Sequence, residues 1–262
     1  MNLQGKTVLI TGASGGIGEK VCQQLASRGA NIIALAREED RLQALMTKLQ
    51  GEHCYLAVDL LSEEGIQKTI ELVNQKGGLD VLINNAGITQ FGMLQQQPVT
   101  ALSAQLNINL LAPMLLTRAL LPFLKRSESA AIVNMGSTFG SIGYSGFSAY
   151  CASKFGLRGF SEALRRELAD TNVRMIYLAP RATRTPINDE QVVSMNKELG
   201  NRMDEPEVVA LHLMQALEND RILLRYIGWP EKLFVVINSV LPKIVDRALL
   251  KQLPVIRRFA QQ

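Results

Sequence analysis

Thr7-Val8-Leu9-Ile10-Thr11-Gly12-Ala13-Ser14-Gly15-Gly16-Ile17-Gly18 reads as a short buried strand, a glycine-rich turn and the start of a helix. The first five residues are apolar or β-branched, as a strand covered on both faces requires. The helix that follows, Gly18–Arg28, has Ile17, Val21 and Leu25 along one side. Gly12, Gly16 and Gly18 are spaced GxxxGxG, which differs from the GxGxxG of the general dinucleotide fingerprint. Glycine lets the backbone turn sharply and approach a ligand closely. A helix N-terminus beyond such a turn offers free N–H groups and a partial positive charge, which suit a pyrophosphate. A plain tight turn is the competing reading. The position between strand and helix favours phosphate binding.

The same alternation continues along the chain. Strands are expected at Asn31–Ala36, Tyr55–Val58, Asp80–Asn84, Ala131–Met135 and Val173–Leu178. Helices are expected at Glu39–Leu49, about 63–75, after Pro98 with a new turn start near Pro113, and at Tyr150–Leu168. Strands separated by crossover-length helices predict a doubly wound α/β domain. Its parallel sheet would carry helices on both faces, over about residues 1–220.

Composition narrows the function classes. Of 262 residues, 47% are hydrophobic but only 5% aromatic, so a large aliphatic core is available. A net charge of +4, spread along the chain, does not argue for nucleic acid. Cys22, Cys54 and Cys151 form no CxxC pair, and His53 and His212 have no metal-ligand spacing. No metal site or disulfide is expected. Reduced thiols and the lack of a signal-like N-terminus point to a cytoplasmic protein. No apolar run is read as long enough to span a membrane.

Chemistry is concentrated at Tyr150-Cys151-Ala152-Ser153-Lys154. Four residues is just over one helical turn, so phenol and ammonium leave the same face. A phenol titrates near ~10, too high for efficient proton transfer at neutral pH, and a nearby cation lowers that value. The pair is therefore a candidate acid/base group. Alone it could equally be a packed Tyr beside a solvated Lys. At the end of the second strand, an acid would bind a ribose 2′-hydroxyl and favour NAD. Ala36-Arg37 stands there instead, and a guanidinium suits the 2′-phosphate of NADP(H). Asp59 is placed either to accept from an adenine amine or to cap the next helix.

Taken together, TGASGGIG at 11–18, Asn84-Asn85-Ala86-Gly87, Ser137, and Tyr150 with Lys154 resemble the short-chain dehydrogenase/reductase family over about residues 5–190. The resemblance implies a single Rossmann-type domain. It implies a catalytic set of Asn109, Ser137, Tyr150 and Lys154. Tyr150 would be the acid in reduction, Lys154 would lower its pKa and hold the nicotinamide ribose, and Ser137 would hold the substrate oxygen. Asn109, preferred to Asn107 because Leu110-Leu111-Ala112-Pro113 follows it, would support a water chain to Lys154. The cofactor would lie along Gly12, Ser14, Gly16, Ile17 and Gly18, then Arg37, Asp59 and Leu60. It would continue past Asn85, Ala86 and Gly87 to Tyr150, Lys154, Pro180 and Thr185. Two departures stand out. Pro180-Arg181 replaces the family's Pro-Gly, leaving Arg181 either in solvent or against cofactor or substrate. Gly136-Ser137 replaces the common Ser-Ser, a change expected to matter little.

A substrate lid is expected at about 184–204, and a helix opened by Pro206 after it. The tail, 221–262, is apolar and basic, and reads as an atypical helical extension packed on the same domain. Leu233, Val236, Ile237, Val240 and Leu241 recur at helical spacing beside Lys232, Lys243, Arg247 and Lys251, after the only tryptophan, Trp229. Packing on its own domain or on a dimer mate, and contact with an anionic membrane surface, are both open. The expected function is NADP(H)-dependent hydride transfer to or from a hydrophobic carbonyl or alcohol, of fatty-acyl, steroid-like or retinoid-like type. The alternatives are a non-enzymatic dinucleotide sensor or scaffold, and an NAD-dependent alcohol dehydrogenase. The resemblance also implies a homodimer or homotetramer.

Overall fold

A computed structural model describes residues 1–261; Gln262, the end of the tail, lies outside the described residues. Seven strands form one parallel sheet: β1 (Thr7–Thr11), β2 (Asn31–Ala36), β3 (Cys54–Ala57), β4 (Val81–Asn84), β5 (Ala130–Met135), β6 (Val173–Ala179) and β7 (Leu224–Tyr226). Their order is β3-β2-β1-β4-β5-β6-β7. The chain direction across the sheet therefore reverses between β1 and β4, the place where such sheets open a ligand crevice. Registers are set by pairs such as Leu9↔Ile33, Leu9↔Leu82 and Ile83↔Val133.

Strand alternation sorts the core into two layers. Val8, Ile10 and Val133 point to one face, against Val21 and Leu25 of α1 (Gly16–Ala26) and Leu213 of α8 (Pro206–Glu218). Leu9, Leu82 and Ile132 point to the other, against Val73 of α3 (Glu63–Gln75), Leu116 and Leu120 of α5 (Ala112–Leu124), and Leu164 of α6 (Ser148–Glu167). Ser62 caps α3 by accepting the Gly65 N–H. Arg37 lies on the loop before α2 (Glu39–Met46).

Three expectations are corrected. The expected turn near Pro113 is absent, and α4 (Val99–Leu106) continues through a wide π turn (Asn107–Leu111) into α5. The result is one 26-residue helix, apolar and long enough to cross a membrane by length and composition, although no such run was read from the sequence. Its Leu116, Leu120 and Leu124 are buried in the sheet core. Next, the tail is not helical throughout. Tyr177↔Leu224 and Ala179↔Tyr226 pair β7 onto β6 before α9 (Glu231–Val240), α10 (Pro242–Leu250) and α11 (Leu253–Ala260) begin. Three residues are too few for periodicity to reveal, and lateral hydrogen bonding decides them.

The third correction concerns Gly136. A Cβ there would lie 2.1 Å from Tyr177 Cζ, so the aromatic ring takes the room a serine would need. The Tyr177 hydroxyl in turn accepts the Ser137 N–H at 3.4 Å. Overpacking of this kind costs about 1–3 kcal/mol. Gly136→Ser should lower the denaturant midpoint accordingly, and Tyr177→Leu in the same chain should recover part of the loss. An unchanged midpoint in Gly136→Ser would show that Tyr177 does not set this limit.

Candidate active site

The first cleft lies at the carboxyl ends of β1, β2 and β4. Gly12 has φ +62°, and a Cβ on it would sit 2.9 Å from Ala86 Cα. A Cβ on Gly18 would sit 2.1 Å from Gly12 O. Only glycine permits this approach of turn, helix and neighbouring strand. Thr11 completes the junction: its hydroxyl accepts the N–H groups of Asn85 and Ala86 at 3.0 and 2.9 Å. The Asn85 amide donates back to Thr11 O and Gly12 O. Thr11 was not read as a site residue; its position as the last residue of a strand before glycine is the signal that could have found it.

The cleft measures about 460 Å³ and is walled by Gly12, Ser14, Gly16, Ile17, Gly18, Arg37, Asp59, Leu60, Asn85, Ala86, Gly87 and Thr185. Its shape and its α1 N-terminus fit an extended dinucleotide. Asp59 does not cap α3, because Ser62 does; Asp59 accepts the Leu61 N–H and stays on the cleft wall. Arg41, in the first turn of α2, also borders the cleft and donates to Ser14 O at 3.0 Å. Glu38 stands between them in sequence and is paired with Arg41 at 3.4 Å.

A second cavity, about 130 Å³, shares Ile17, Asn85, Gly87, Thr89, Thr185 and Ile187 with the first. The two are one continuous site. Ser137, Tyr150, Lys154 and Pro180 line the second part. Ser137 begins a short 3-10 turn and accepts the Phe139 N–H, and it lines the same cavity as the Tyr150 phenol. Lys154 is buried, donates to Met135 O at 2.9 Å, and lies 5.7 Å from the Tyr150 ring centre.

Burial changes the acid/base reading. Desolvation pushes the Tyr150 phenol up to about 12, against the Ser137 side chain, which lowers it. The same effect brings the Lys154 ammonium down to about 8. The spacing alone suggested a phenol pulled down by its neighbour. In the folded protein the phenol keeps its proton at neutral pH, which is the form a general acid needs.

Asn109 is fully buried inside the π turn, whereas Asn107 is half-buried at the surface. The Asn109 side chain accepts the Ile88 N–H and donates to Ile88 O and to Ser153 Oγ. Pro113 has no N–H to give the Asn109 carbonyl, which removes that oxygen's usual helical donor. Gly87 lies between: a Cβ there would be 3.3 Å from Asn109 Oδ1 and 3.6 Å from Lys154 Nζ.

The segment 184–204 closes one side of the second cavity, and the tail packs behind it. Asp189 caps α7 (Glu190–Glu198) by accepting the Val192 N–H, and Val192 and Met195 turn inward. They pack with Phe91, Phe147 and Ile256 of α11 into an apolar cluster beside Phe139, Tyr144 and Tyr150. Tyr144 donates to Gln252 at 2.6 Å. Arg181 does not point into solvent: it lines the second cavity, and its guanidinium is engaged. It pairs with Asp204 at 2.7 Å and Glu231 at 3.1 Å, and donates to Trp229 O, so that it joins the lid base to the first turn of α9.

A dinucleotide cleft merging with a cavity that holds serine, tyrosine and lysine defines an oxidoreductase site. Comparison with known proteins agrees. Residues 6–196 match the short chain dehydrogenase family. A Vibrio cholerae 3-oxoacyl-(acyl-carrier-protein) reductase FabG is 33% identical over 216 residues, covering 80% of this chain and 88% of the relative. Carbonyl reductase family member 4 of Xenopus laevis is 34% identical over 220 residues, covering 83% and 93%. A short-chain dehydrogenase structure from Streptomyces avermitilis superposes with a TM-score of 0.81 at 26% identity, covering 96% of this chain and 99% of that one. The chain belongs to the short-chain dehydrogenase/reductase family, an oxidoreductase family that binds a nicotinamide cofactor.

Asp204→Asn weakens the link made by Arg181. It should speed proteolytic cleavage within 184–204 and raise KM more than it lowers kcat. Unaltered cleavage and KM would mean that Arg181 and Asp204 do not hold the lid.

Proposed function

We propose that the protein is an NADP(H)-dependent reductase of a hydrophobic carbonyl, or the corresponding alcohol dehydrogenase. The observation that carries this reading is the continuity of the two cavities, with Ser137 and Tyr150 at their junction. Two hydroxyl donors aimed at one carbonyl oxygen stabilise the alkoxide that develops there. The nicotinamide, when bound, supplies or accepts the hydride. Ser137 holds the substrate oxygen, and Tyr150 gives it a proton in reduction. The Lys154 ammonium then stabilises the phenolate that remains and holds the nicotinamide ribose. Asn109 positions Ile88 and Ser153 beside this path, and its carbonyl, without the usual i+4 donor because that residue is Pro113, supports proton supply towards Lys154.

Preference for NADP(H) is supported by Arg37 and Arg41, two guanidinium groups at the adenosine end of the cleft. Glu38, the residue that would favour NAD, is engaged by Arg41. Phe139, Tyr144, Phe147, Val192 and Met195 support an apolar substrate. The names of the relatives, reductases of 3-oxoacyl and carbonyl compounds, are in keeping with it. At about 130 Å³ the substrate part is well below the ~300–1,000 Å³ usual for ligand pockets. A short acyl group or a single ring is accommodated; a longer chain, steroid or retinoid requires α7 and α11 to part. The sensor reading has no observation in its favour. A homodimer or homotetramer is supported by Val99, Leu106, Leu111, Met114 and Phe155, apolar side chains exposed on the helices around Asn109 and Tyr150.

The direct test is NADPH oxidation with carbonyls graded from short and polar to long and apolar. Turnover should favour apolar substrates, and Tyr150→Phe should lower kcat by about 10²–10⁴. A preference for NADH, or undiminished turnover in Tyr150→Phe, would overturn the reading.

The pH profile follows from the two shifts. Burial lowers Lys154, so its positive charge is lost as pH rises through about 8. Tyr150, pushed up to about 12, stays protonated across that range. kcat/KM for reduction should therefore fall above about pH 8. A flat profile to pH 10 would remove Lys154 from the mechanism.

A further inference from the structure

The α9–α10 pair has an outer surface that its own domain leaves bare. Its inner side is accounted for: Val235 and Val245 are buried against Ile142, and Asn238 donates to Ser141 O. The outer side is not. Eight of the nineteen exposed large apolar side chains of the protein fall between 229 and 250: Trp229, Leu233, Phe234, Val236, Val240, Leu241, Ile244 and Leu250. Leu233, Val236 and Val240 are spaced i, i+3, i+7, so they form one stripe along α9. Trp229, at 66% exposed, stands at its start, and Val240, at 70%, at its end. Scattered exposed apolar residues need no explanation, but a contiguous patch on a soluble domain does.

The charges on this surface are predominantly positive. Lys243, Arg247 and Lys251 are spaced i, i+4, i+8 along the outer side of α10, and Lys232 lies on α9. All four are exposed, and among the described residues none is in an ion pair. Between 229 and 251 there are only two acids, Glu231 and Asp246. Glu231 is held by Arg181, which it shares with Asp204. Among the described residues, the surface therefore presents four unpaired cations against two carboxylates, of which only Asp246 is without an ion-pair partner, beside a stripe of apolar groups.

We propose that this outer face of α9 and α10 docks on an anionic lipid surface. An apolar stripe, a row of Lys and Arg, and an aromatic residue at the edge are the groups that partition into the headgroup boundary of a negatively charged bilayer. A second copy of the chain is a poorer occupant, because a two-fold contact would set the same cationic row against itself. The proposal also gives the tail's layout a use. Gln252, immediately after the last cation of the row, holds Tyr144 at the wall of the second cavity, and Ile256 packs in the apolar cluster with Phe147, Val192 and Met195, which line that cavity. The docked face and the apolar end of the site are thus joined by one short segment.

The full-length protein carries its own probe, since Trp229 is its only tryptophan. Trp229 fluorescence and cosedimentation would be measured with phosphatidylcholine vesicles, with and without phosphatidylglycerol. The anionic vesicles should shift the emission to the blue and pull the protein down, and added salt should reverse both. Lys243→Glu, Arg247→Glu and Lys251→Glu together should weaken the partitioning by about a hundredfold or more. These side chains are exposed, so the melting temperature should be unchanged, which serves as the folding control. No blue shift, equal binding to neutral vesicles, or full binding by the charge-reversed chain would overturn the proposal. So would a Val236→Asp, Val240→Asp chain that loses an oligomer present in the wild type while neither protein binds vesicles; that result would assign the face to a second copy.

Discussion

Everything at the site depends on how closely three pieces of backbone meet where β1 and β4 lie side by side. Gly12 leaves β1 in a left-handed conformation against Ala86, and α1 starts with Gly18 almost touching the Gly12 carbonyl. The Thr11 hydroxyl satisfies the N–H groups of Asn85 and Ala86 that this geometry frees. Any side chain larger than hydrogen at either glycine would push the strand ends apart. With them in place, the reversal of strand order opens a crevice whose floor is backbone and whose end is a helix N-terminus. The cofactor cleft is in this sense a consequence of packing rather than an addition to it.

The candidate catalytic groups are shaped by a second constraint, desolvation. Lys154 is buried with Met135 O as its hydrogen-bond acceptor, and Tyr150 opens on a cavity built from aromatic and aliphatic side chains. In such surroundings the charged form of each group is disfavoured, so phenol and ammonium both move towards neutrality. The attraction expected from their spacing acts within that environment and does not override it. A protonated phenol beside a cation suits the reductive direction. The π turn at Asn109 belongs to the same local design. A proline one helical turn on takes away a donor, and the helix answers with a wider turn that keeps Asn109 inside.

Arg181 ties the remaining parts together. Where its family has glycine, this chain has a guanidinium that bridges the base of the lid and the start of α9. Gly228 accommodates it, since a Cβ there would lie 2.7 Å from Arg181 Cδ. Through this link, and through Ile256 and Gln252 behind Phe147 and Tyr144, the tail backs the wall of the second cavity. The outer faces of the same helices remain uncovered, with apolar and cationic groups side by side.

The fold was legible in the sequence because buried parallel strands need continuous apolar runs and crossover helices need one apolar face. Both signals are local. The glycine spacing, Ala36-Arg37 and the Tyr150–Lys154 pair were legible for the same reason, each being a short-range pattern with a definite geometric meaning. Thr11, Arg41, the need for Gly136, the partners of Arg181 and the edge strand β7 were not. Each depends on a residue far away in sequence: Tyr177 for Gly136, Glu231 for Arg181, β6 for β7. The sequence by itself determined the order of the elements and the chemistry carried at their ends. The tertiary structure alone decided which distant groups share a low-dielectric cavity, and therefore which protons are held at neutral pH, because desolvation and close packing are properties of a filled volume rather than of a stretch of chain.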